Sequence, residues 1–254
     1  MSQPSAASVQ MIGLSGIPEV RPGDDLAEHI LTAAKASVPL QTGDILVVTQ
    51  KIVSKAEGQL VDLATVTPSA LATDWATRWG KDARQVEVAL RESRRIVRMD
   101  RGVLICETRH GYICANAGVD ASNVPGTETV CLLPVDPDAS AAQLHTAISA
   151  RVGFAVPVII SDTFGRAWRN GIVNVALGVA GMLPLADYRG QYDTEGREMH
   201  VTVLAVADEI ASAAELVTGK LDRRPVVIVR GYGWTEAAGR GADLVMDPAR
   251  DLFR

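Results

Sequence analysis

The chain has 254 residues, of which 47% are hydrophobic and 22% are charged, and its formal net charge is −5 at pH 7. This composition fits a chain that buries a sizeable core, and it excludes intrinsic disorder. The acidic balance excludes a generic nucleic-acid binder, because such proteins usually carry a positive surface, but it allows a local basic pocket.

The cysteines and the apolar segments indicate where the chain resides. Cys106, Cys114 and Cys131 are odd in number and contain no CxxC pair, so they predict neither a disulfide framework nor a cysteine-rich zinc site. A reducing, cytoplasmic location is therefore expected. The uncharged segment 171–186 is interrupted by Asn174 and is shorter than the roughly 20 apolar residues of a membrane span. We expect it to be buried core or a dimer contact, and we expect no membrane interaction.

The first half of the chain predicts helices and short strands. Residues 1–12 are expected to be a disordered tail, and 13–254 a single domain. Asp24-Asp25 can cap a helix that runs to about residue 38, and 45–48 is an apolar strand. The elements predicted next are a helix over 68–79 capped by Thr67, a short helix over 86–95, and strands at 96–99, 103–107 and 112–115.

The second half predicts a similar mixture. The proline-containing loop 134–138 precedes a helix of about 12 residues that ends near Arg151. Strands are predicted at 157–161, 201–206 and 225–229, with a helix over 208–217 that Gly219 can end. Strands and helices do not alternate regularly, so the predicted class is mixed α/β (α+β), with mixed and partly antiparallel sheets.

Standard nucleotide-binding motifs are absent from the sequence. Gly219-Lys220 lacks the upstream glycine and the following Ser or Thr of a phosphate-binding loop. Gly231-Tyr232-Gly233 lacks the third glycine of a dinucleotide fingerprint. The four histidines show no ligand spacing, which gives no support to a histidine metal site.

Polar clusters lie instead at the ends of the apolar strands, in the segments 49–55, 116–123, 162–169 and 219–224. Each cluster by itself can be read as a turn or a helix cap. Together they combine carboxylates, which suit Mg²⁺ or Mn²⁺, with lysines and arginines, which neutralise phosphate. Phosphoryl transfer needs this combination, so the residues point as far as a phosphate and metal site.

Four segments resemble one known family. GDILVVTQKIVSKAEG, CANAGVDASNV, ISDTFGRAWRNGIVNVALGVAG and ADEIASAAELVTGKLDRRPVVIVRG occur in this order and are similar to those of the coenzyme F-420-0:L-glutamate ligase family. The resemblance covers 13–254. It implies a family-specific fold of mixed sheets in two intertwined subdomains, assembled as a homodimer. The sequence ends at Arg254, so the resemblance predicts the form without the nitroreductase-like flavin domain of some bacterial members.

The resemblance also implies an activity. The family joins L-glutamate to the carboxylate of the phospholactyl arm of F-420-0, driven by GTP hydrolysis, with Mg²⁺ or Mn²⁺ and with help from K⁺. The acceptor carboxylate attacks the γ-phosphorus and becomes an acyl phosphate, and the glutamate amine then displaces phosphate. The expected partners are therefore these small molecules, with no nucleic acid.

Site residues follow from the matching motifs. The implied metal ligands, for two cations on the phosphates, are Asp120, Asp162 and Thr163. The implied nucleotide contacts are Ser15, Gly16, Ile17, Pro18, Thr49, Gln50, Ser54, Lys55, Asn123, Val217, Thr218, Gly219, Lys220, Leu221, Asp222, Arg223 and Arg224. Lys220 stands where some relatives have Gln or Glu near the second metal. Because a protonated lysine cannot ligate a cation, either its carbonyl serves or its ammonium contacts phosphate.

Several further side chains allow both a functional and a structural interpretation. Lys55 and Arg166 are candidate catalytic residues that contact phosphate or the substrate carboxylate, with Arg169 beside them, and surface salt bridges are the alternative for the arginines. Trp168 and Tyr112 can stack on a deazaflavin ring, or belong to the core or an interface.

Two other functions are compatible with the same sequence. One is a non-catalytic module that binds a deazaflavin or a nucleotide, which the clustered Asp120, Asn123, Asp162 and Thr163 disfavour because a binder needs no pair of metals. The other is a ligase of the same chemistry with another acceptor acid.

Overall fold

The computed structural model of the chain describes residues 7–122, 124 and 126–252. Its strands are β1 (Gln10–Leu14), β2 (Ile45–Thr49), β3 (Leu60–Asp62), β4 (Ser93–Asp100), β5 (Val103–Thr108), β6 (Ile113–Ala115), β7 (Thr129–Cys131), β8 (Val158–Arg166), β9 (Arg169–Ala180), β10 (Ala186–Asp187), β11 (Val203–Leu204) and β12 (Val226–Arg230). Its α-helices are α1 (Leu26–Ala36), α2 (Gln50–Ala56), α3 (Ala70–Trp79), α4 (Ala83–Arg91), α5 (Pro137–Val152) and α6 (Val206–Thr218).

A five-stranded sheet with the order β1-β12-β2-β8-β9 forms the centre of the molecule. β2 and β8 are parallel, whereas the other neighbouring pairs are antiparallel. The parallel register pairs Val48 with Ile160 and Thr49 with Ser161, so β2 ends beside the middle of β8, which continues to Arg166 as a hairpin with β9. The predicted mixed class with partly antiparallel sheets is thus confirmed.

Both faces of the central sheet are covered. On β2, Leu46 and Val48 pack against α1, α2 and α5, whereas Ile45 and Val47 pack against α6. Alternate residues of a strand point to opposite faces, so a strand buried on both sides must be apolar at every position. This requirement explains the unbroken apolar run that predicted a buried strand over 45–48.

The chain leaves the central sheet after α2 and returns to it at α5. The intervening residues build two small sheets, β3-β7 and β4-β5-β6, which pack with α3 and α4. Cys106 and Cys114 are opposed in the β5–β6 register, and both are buried free thiols. The intervening residues form the inserted unit, and its β6 returns to contact β8 of the central sheet.

The N-terminal prediction was wrong for three residues. Gln10, Met11 and Ile12 belong to β1 and pair with β12, so the ordered chain begins earlier than the expected tail of 1–12. The gain of backbone hydrogen bonds along a whole sheet edge offsets the low local propensity of this segment. Residues 1–6 lie outside the described part.

Several element boundaries also differ from the predictions. α3 begins after Ser69 rather than Thr67, because Pro68 disfavours helical geometry in the residue before it. The Ser69 hydroxyl then accepts a hydrogen bond from the Ala72 N–H at 3.3 Å. As predicted, Asp25 caps α1, accepting from the Glu28 N–H at 3.0 Å.

Strand pairing replaces the end of one predicted helix. The helix expected over 86–95 ends at Arg91, and residues 93–95 belong to β4. Arg95 of β4 donates to Glu107 of β5 at 2.8 Å, a tertiary contact that local helix propensity does not contain. Similarly, the strand expected over 201–206 is only two residues long, because Val206 is buried in the first turn of α6.

The uncharged segment 171–186 is core for most of its length. β9 pairs with β8, and its Gly178 lies against α5, where an added Cβ would approach the Pro137 carbonyl oxygen to 2.0 Å. Only glycine permits this contact between strand and helix. Among the described residues, no helix has the length and apolarity needed to cross a bilayer.

Candidate functional site

A cavity of about 970 Å³ opens at the carboxyl end of β2, beside the middle of β8. Five chain segments that are distant in sequence meet there: the loop after β1, the start of α2, the loop after β6, the middle of the β8–β9 hairpin and the loop after α6. The predicted site residues that line it are Ile17, Pro18, Thr49, Gln50, Lys55, Asp120, Asp162, Thr163, Thr218, Gly219, Lys220, Leu221, Arg223 and Arg224. Ligand sites of α/β proteins commonly lie outside the carboxyl ends of parallel strands.

Other predicted nucleotide contacts are not among the residues that line the cavity, namely Ser15, Gly16, Ser54, Val217 and Asp222. Ser54 is buried within α2 and donates its hydroxyl to Gln50 Oε1 at 2.8 Å, so it supports a lining residue from behind. Asp222 folds back toward Gly219. Asn123 lies outside the described residues.

Arg166 is not brought to the cavity. It ends β8 at the exposed tip of the β8–β9 hairpin, where its guanidinium donates to the Asn170 carbonyl oxygen at 2.7 Å. Arg169 is opposite it in the register, and Trp168 is 80% exposed at the same tip. The long hairpin carries these side chains beyond the strand ends, so a catalytic Arg166 is not supported by its position.

Tyr112 belongs to the interior. Its hydroxyl donates to the Leu177 carbonyl oxygen at 2.5 Å, and its ring meets Phe164 edge to face. Burial raises its pKa. These contacts favour the core interpretation of Tyr112, and the ring is not among those lining the cavity.

Asp120 is held by a dense set of donors. Lys51 donates to Asp120 Oδ2 at 2.5 Å, while Ser122 donates to Oδ1 through its backbone N–H and to Oδ2 through its hydroxyl, both at 2.7 Å. Burial acts to raise the pKa of Asp120, but the Lys51 ammonium and the Ser122 donors outweigh it and hold this pKa below its ordinary value. The surroundings of Asp120 thus favour its ionised carboxylate form.

Asp162 lies across the cavity in the opposite electrostatic condition. Burial raises the pKa of its carboxyl to about 6, although the Thr163 backbone N–H acts to lower it, and the negative charge of Asp120 raises it further. A cation between Asp120 and Asp162 would remove the unfavourable interaction between the two carboxylates. Asp162 is therefore the less compensated of the two carboxylates, because burial outweighs the Lys51 charge and the Gln50 hydrogen bond that act to lower its pKa.

Thr163 and Lys220 form a second polar group at the edge of the cavity. The Thr163 hydroxyl donates to Asn174 Oδ1 at 2.7 Å and accepts from the Lys220 ammonium at 2.8 Å. Lys220 also forms an ion pair with Glu215. The Lys220 ammonium is thus directed toward the predicted metal-binding edge, a placement that suits phosphate contact. Ligation through the Lys220 carbonyl stays the other prediction.

Lys55 is almost fully buried, with 4% of its surface exposed, and it pairs with Glu19 at 2.5 Å. The three lysines of the cavity, Lys51, Lys55 and Lys220, are thus each paired with a carboxylate. Sequence reasoning missed Lys51 as a site residue, although it noted the neighbouring Lys55. It also missed Glu19, Ser122 and Glu215. Ser122 and Glu215 lie within the matching segments, but only the fold places them against Lys51 and Lys220.

The oxygen atoms that line the cavity indicate which kind of metal ion could bind there. Within the described residues, no group of three His, Cys, Asp or Glu side chains is placed to hold an ion. Two facing carboxylates, with the Thr163 hydroxyl beside them, suit a hard cation that keeps several waters and shares its remaining ligands with phosphates. Ser161 Oγ is buried at the cavity wall and has no hydrogen-bond partner among the described residues. These residues fit Mg²⁺ or Mn²⁺ rather than zinc.

The wall beside Asp120 is built from unusual backbone. Asn116 and Ala117 have φ angles of 52° and 53°, and Gly118 follows with 76°. Left-handed non-glycine residues are costly and concentrate at functional sites. At Gly118 an added Cβ would lie 2.7 Å from Leu133, so this position requires glycine. Asn116 also lines a second cavity of about 320 Å³ on the side of the inserted unit.

Comparisons with known proteins bear on this site. The family described as F420-0:Gamma-glutamyl ligase matches residues 16–231. Three similar proteins carry the name Coenzyme F420:L-glutamate ligase. That of Methanothermobacter thermautotrophicus is 45% identical over 251 residues, covering 97% of this chain and 99% of the relative. That of Methanopyrus kandleri is 47% identical over 241 residues, covering 93% and 94%. That of Methanocaldococcus jannaschii is 40% identical over 247 residues, covering 97% of each.

Proposed function

The chain belongs to the F420-0:gamma-glutamyl ligase family, and from this premise we propose that it is a GTP-dependent ligase. It joins the amine of L-glutamate to the carboxylate of the phospholactyl arm of F-420-0 through an acyl phosphate. The observation that carries the proposal is the grouping of Asp120, Asp162 and the cavity lysines at one edge of the central sheet. Enzymes of phosphoryl transfer commonly use carboxylates to hold metal ions and lysines to neutralise phosphates around one cavity.

The reaction has two steps. The acceptor carboxylate oxygen forms a bond to the γ-phosphorus while the bond between that phosphorus and the β–γ bridging oxygen breaks, releasing GDP. The glutamate nitrogen then bonds to the acyl carbon, inorganic phosphate leaves, and the nitrogen loses a proton. Both steps gather or separate negative charge, so fixed positive groups accelerate them.

The chain's own residues supply binding, orientation and charge. Lys51, Lys55 and Lys220 neutralise phosphate oxygens, and the loop from Thr218 to Arg224 encloses the nucleotide. Asp120 and Asp162 would hold divalent cations, with Thr163 beside them. When bound, Mg²⁺ or Mn²⁺ supplies charge neutralisation on the phosphates. Because the cavity is at the upper end of the usual range for ligand sites, it has room for more than one substrate.

The proposal includes K⁺ as an accessory ion and a homodimer as the assembly. The exposed apolar residues of the β8–β9 hairpin, Trp168 and Ile172, support a subunit contact on that side. Light scattering after size-exclusion chromatography measures the assembly, and activity titrated with K⁺ against Na⁺ measures the accessory ion.

A mass-spectrometric assay tests the ligase activity. The purified chain is mixed with F-420-0, L-glutamate, GTP and Mn²⁺, and the expected result is a gain of one or more glutamyl units. The ladder of products gives the number of additions. Reactions without GTP, without metal, or with ATP in place of GTP define the requirements.

A matched variant separates the site from the scaffold. Asp208→Asn alters a carboxylate on α6 that accepts from the Ala176 N–H and does not line the cavity, so it keeps the mass gain. Asp162→Asn removes the gain. No mass gain in wild type, with GTP still bound to the folded chain, would reject this acceptor and favour another acceptor acid. Bound GTP that is never consumed with any acceptor would favour the binding module.

A further inference from the structure

Lys51 and Asp120 form an ion pair that occupies most of the bonding capacity of both groups. Lys51 Nζ donates to Asp120 Oδ2 at 2.5 Å, to the Ser122 carbonyl oxygen at 2.6 Å and to Ser122 Oγ at 2.8 Å. An ammonium has three protons, and these three acceptors use them all. Asp120 in turn also accepts from the Ser122 N–H and hydroxyl.

The pair therefore blocks two binding events at once. A cation that ligates Asp120 Oδ2 must approach the position that the Lys51 ammonium holds, against its positive charge. A phosphate that uses Lys51 must draw its protons away from Asp120 and Ser122. Each event alone breaks the pair and leaves the other member of the pair without its partner inside a half-buried cavity.

We propose that Lys51 is an internal counter-ion, held on Asp120 in the free protein and transferred to a nucleotide phosphate when Asp120 binds a divalent ion. This inference rests on the proposed GTP-dependent function. Its consequence is a thermodynamic linkage, in which the ion and the nucleotide each bind weakly alone and each strengthens binding of the other. The reason is that the free-energy cost of breaking the Lys51–Asp120 pair is incurred only once when both are bound. Lys51 thus makes cation binding depend on the nucleotide.

Lys55 provides a matched comparison within the same cavity. It lies one turn further along α2 and pairs with Glu19, whose side chain is 60% exposed. Glu19 is not a candidate metal ligand. Lys55→Met therefore removes the same charge from the same helix and the same cavity, but it does not release Asp120.

The experiment titrates Mn²⁺ into the full chain without nucleotide and follows free Mn²⁺ by electron paramagnetic resonance. Lys51→Met is expected to bind Mn²⁺ about tenfold more tightly than wild type, a typical size for a coupling between sites. Lys51→Arg keeps a cation on Asp120 and stays near wild type. Lys55→Met is expected to change the affinity by less than about threefold, because the charge of Lys55 is compensated by Glu19 and its ammonium does not contact Asp120.

A second titration measures the linkage with GDP as the probe. In wild type, GDP strengthens Mn²⁺ binding, after correction for the Mn²⁺ that GDP binds in solution. In Lys51→Met this strengthening falls, because the free protein no longer has a pair to break. Circular dichroism and thermal melting check that each variant is folded, and Lys51→Gln replaces Lys51→Met if the latter does not fold.

Two results would overturn the inference. Unchanged Mn²⁺ affinity in Lys51→Met shows that the lysine does not compete for Asp120. Equal tightening in Lys51→Met and Lys55→Met shows that the general charge of the cavity acts instead of this pair. Because neither titration uses F-420-0, glutamate or turnover, their failure is distinct from a failure of the ligase assay.

Discussion

The two carboxylates of the cavity lie in different regions of the molecule, and their surroundings shift the carboxyl pKa in opposite directions. Asp120, in the loop after β6, is surrounded by donors from Lys51 and Ser122, and its pKa is lowered. Asp162, in the middle of β8, is desolvated, and its pKa is raised to about 6. The inserted unit supplies one carboxylate and the central sheet supplies the other.

Because of this difference, we expect the two carboxylates to affect the folding stability of the protein in opposite directions. The charge on Asp120 is compensated within the chain, so that residue contributes to stability as well as to the site. The charge on Asp162 is only partly compensated within the chain, by Lys51 and by a hydrogen bond with Gln50, so its ionised form costs stability that a bound cation would restore. Functional sites commonly retain groups that the fold alone would not favour.

The largest expected effect comes from Asp162→Asn. Loss of this carboxylate removes a proposed ligand of the divalent cation that neutralises the phosphates, and we expect turnover to fall by about 100- to 1,000-fold. The melting temperature of the metal-free protein rises by about 2–4 °C, because a neutral amide replaces a buried charge. The mass-spectrometric assay and calorimetry measure the two effects. A fall in both activity and stability would remove the proposed distinction.

Asp120→Asn is expected to lose a similar share of turnover but to change stability in the other direction. Lys51 keeps its charge and loses its anionic partner, which costs about 1–3 kcal/mol of unfolding free energy. Urea denaturation monitored by circular dichroism gives this value. An Asp120→Asn protein as stable as wild type would mean that the ion pair with Lys51 contributes nothing to folding.

Asp208→Asn tests whether burial alone explains the behaviour of Asp162. Burial raises the pKa of Asp208, opposed by the hydrogen bond from the Ala176 N–H. A carboxyl whose pKa is raised by folding holds its proton more tightly in the folded state, so its contribution to stability is lost as pH rises above about 4. The variant therefore gains a few degrees over wild type at pH 7 and none at pH 3, with normal turnover. Thermal melts at the two pH values measure this.

The smallest effect is expected for Arg166→Ala. This arginine lies at the hairpin tip and contacts the Asn170 carbonyl oxygen, so turnover should stay within about twofold of wild type, as for most surface substitutions. Steady-state rates measured alongside Lys55→Met provide the contrast, since Lys55 lines the cavity. A large loss in Arg166→Ala would show that the hairpin reaches a reacting group in an assembled state.

Local sequence alone determined much of this protein. The apolar run at 45–48 fixed a strand buried on both faces, Asp25 fixed the start of α1, and the four motifs identified the family and its two carboxylates. These features depend on neighbouring residues, so they can be read without the fold. The exchange of helix for strand at 93–95 could not, because the partner of Arg95 is on another strand.

Only the tertiary structure decided which side chains meet. Lys51 and Asp120 are 69 positions apart and become partners because the inserted unit folds back onto the edge of the central sheet. The parallel pairing of β2 with β8 brings Thr49 beside Ser161, and the length of the β8–β9 hairpin takes Arg166 away. Charge compensation and burial act through space rather than along the chain, so the opposite states of Asp120 and Asp162 arise only in the folded protein.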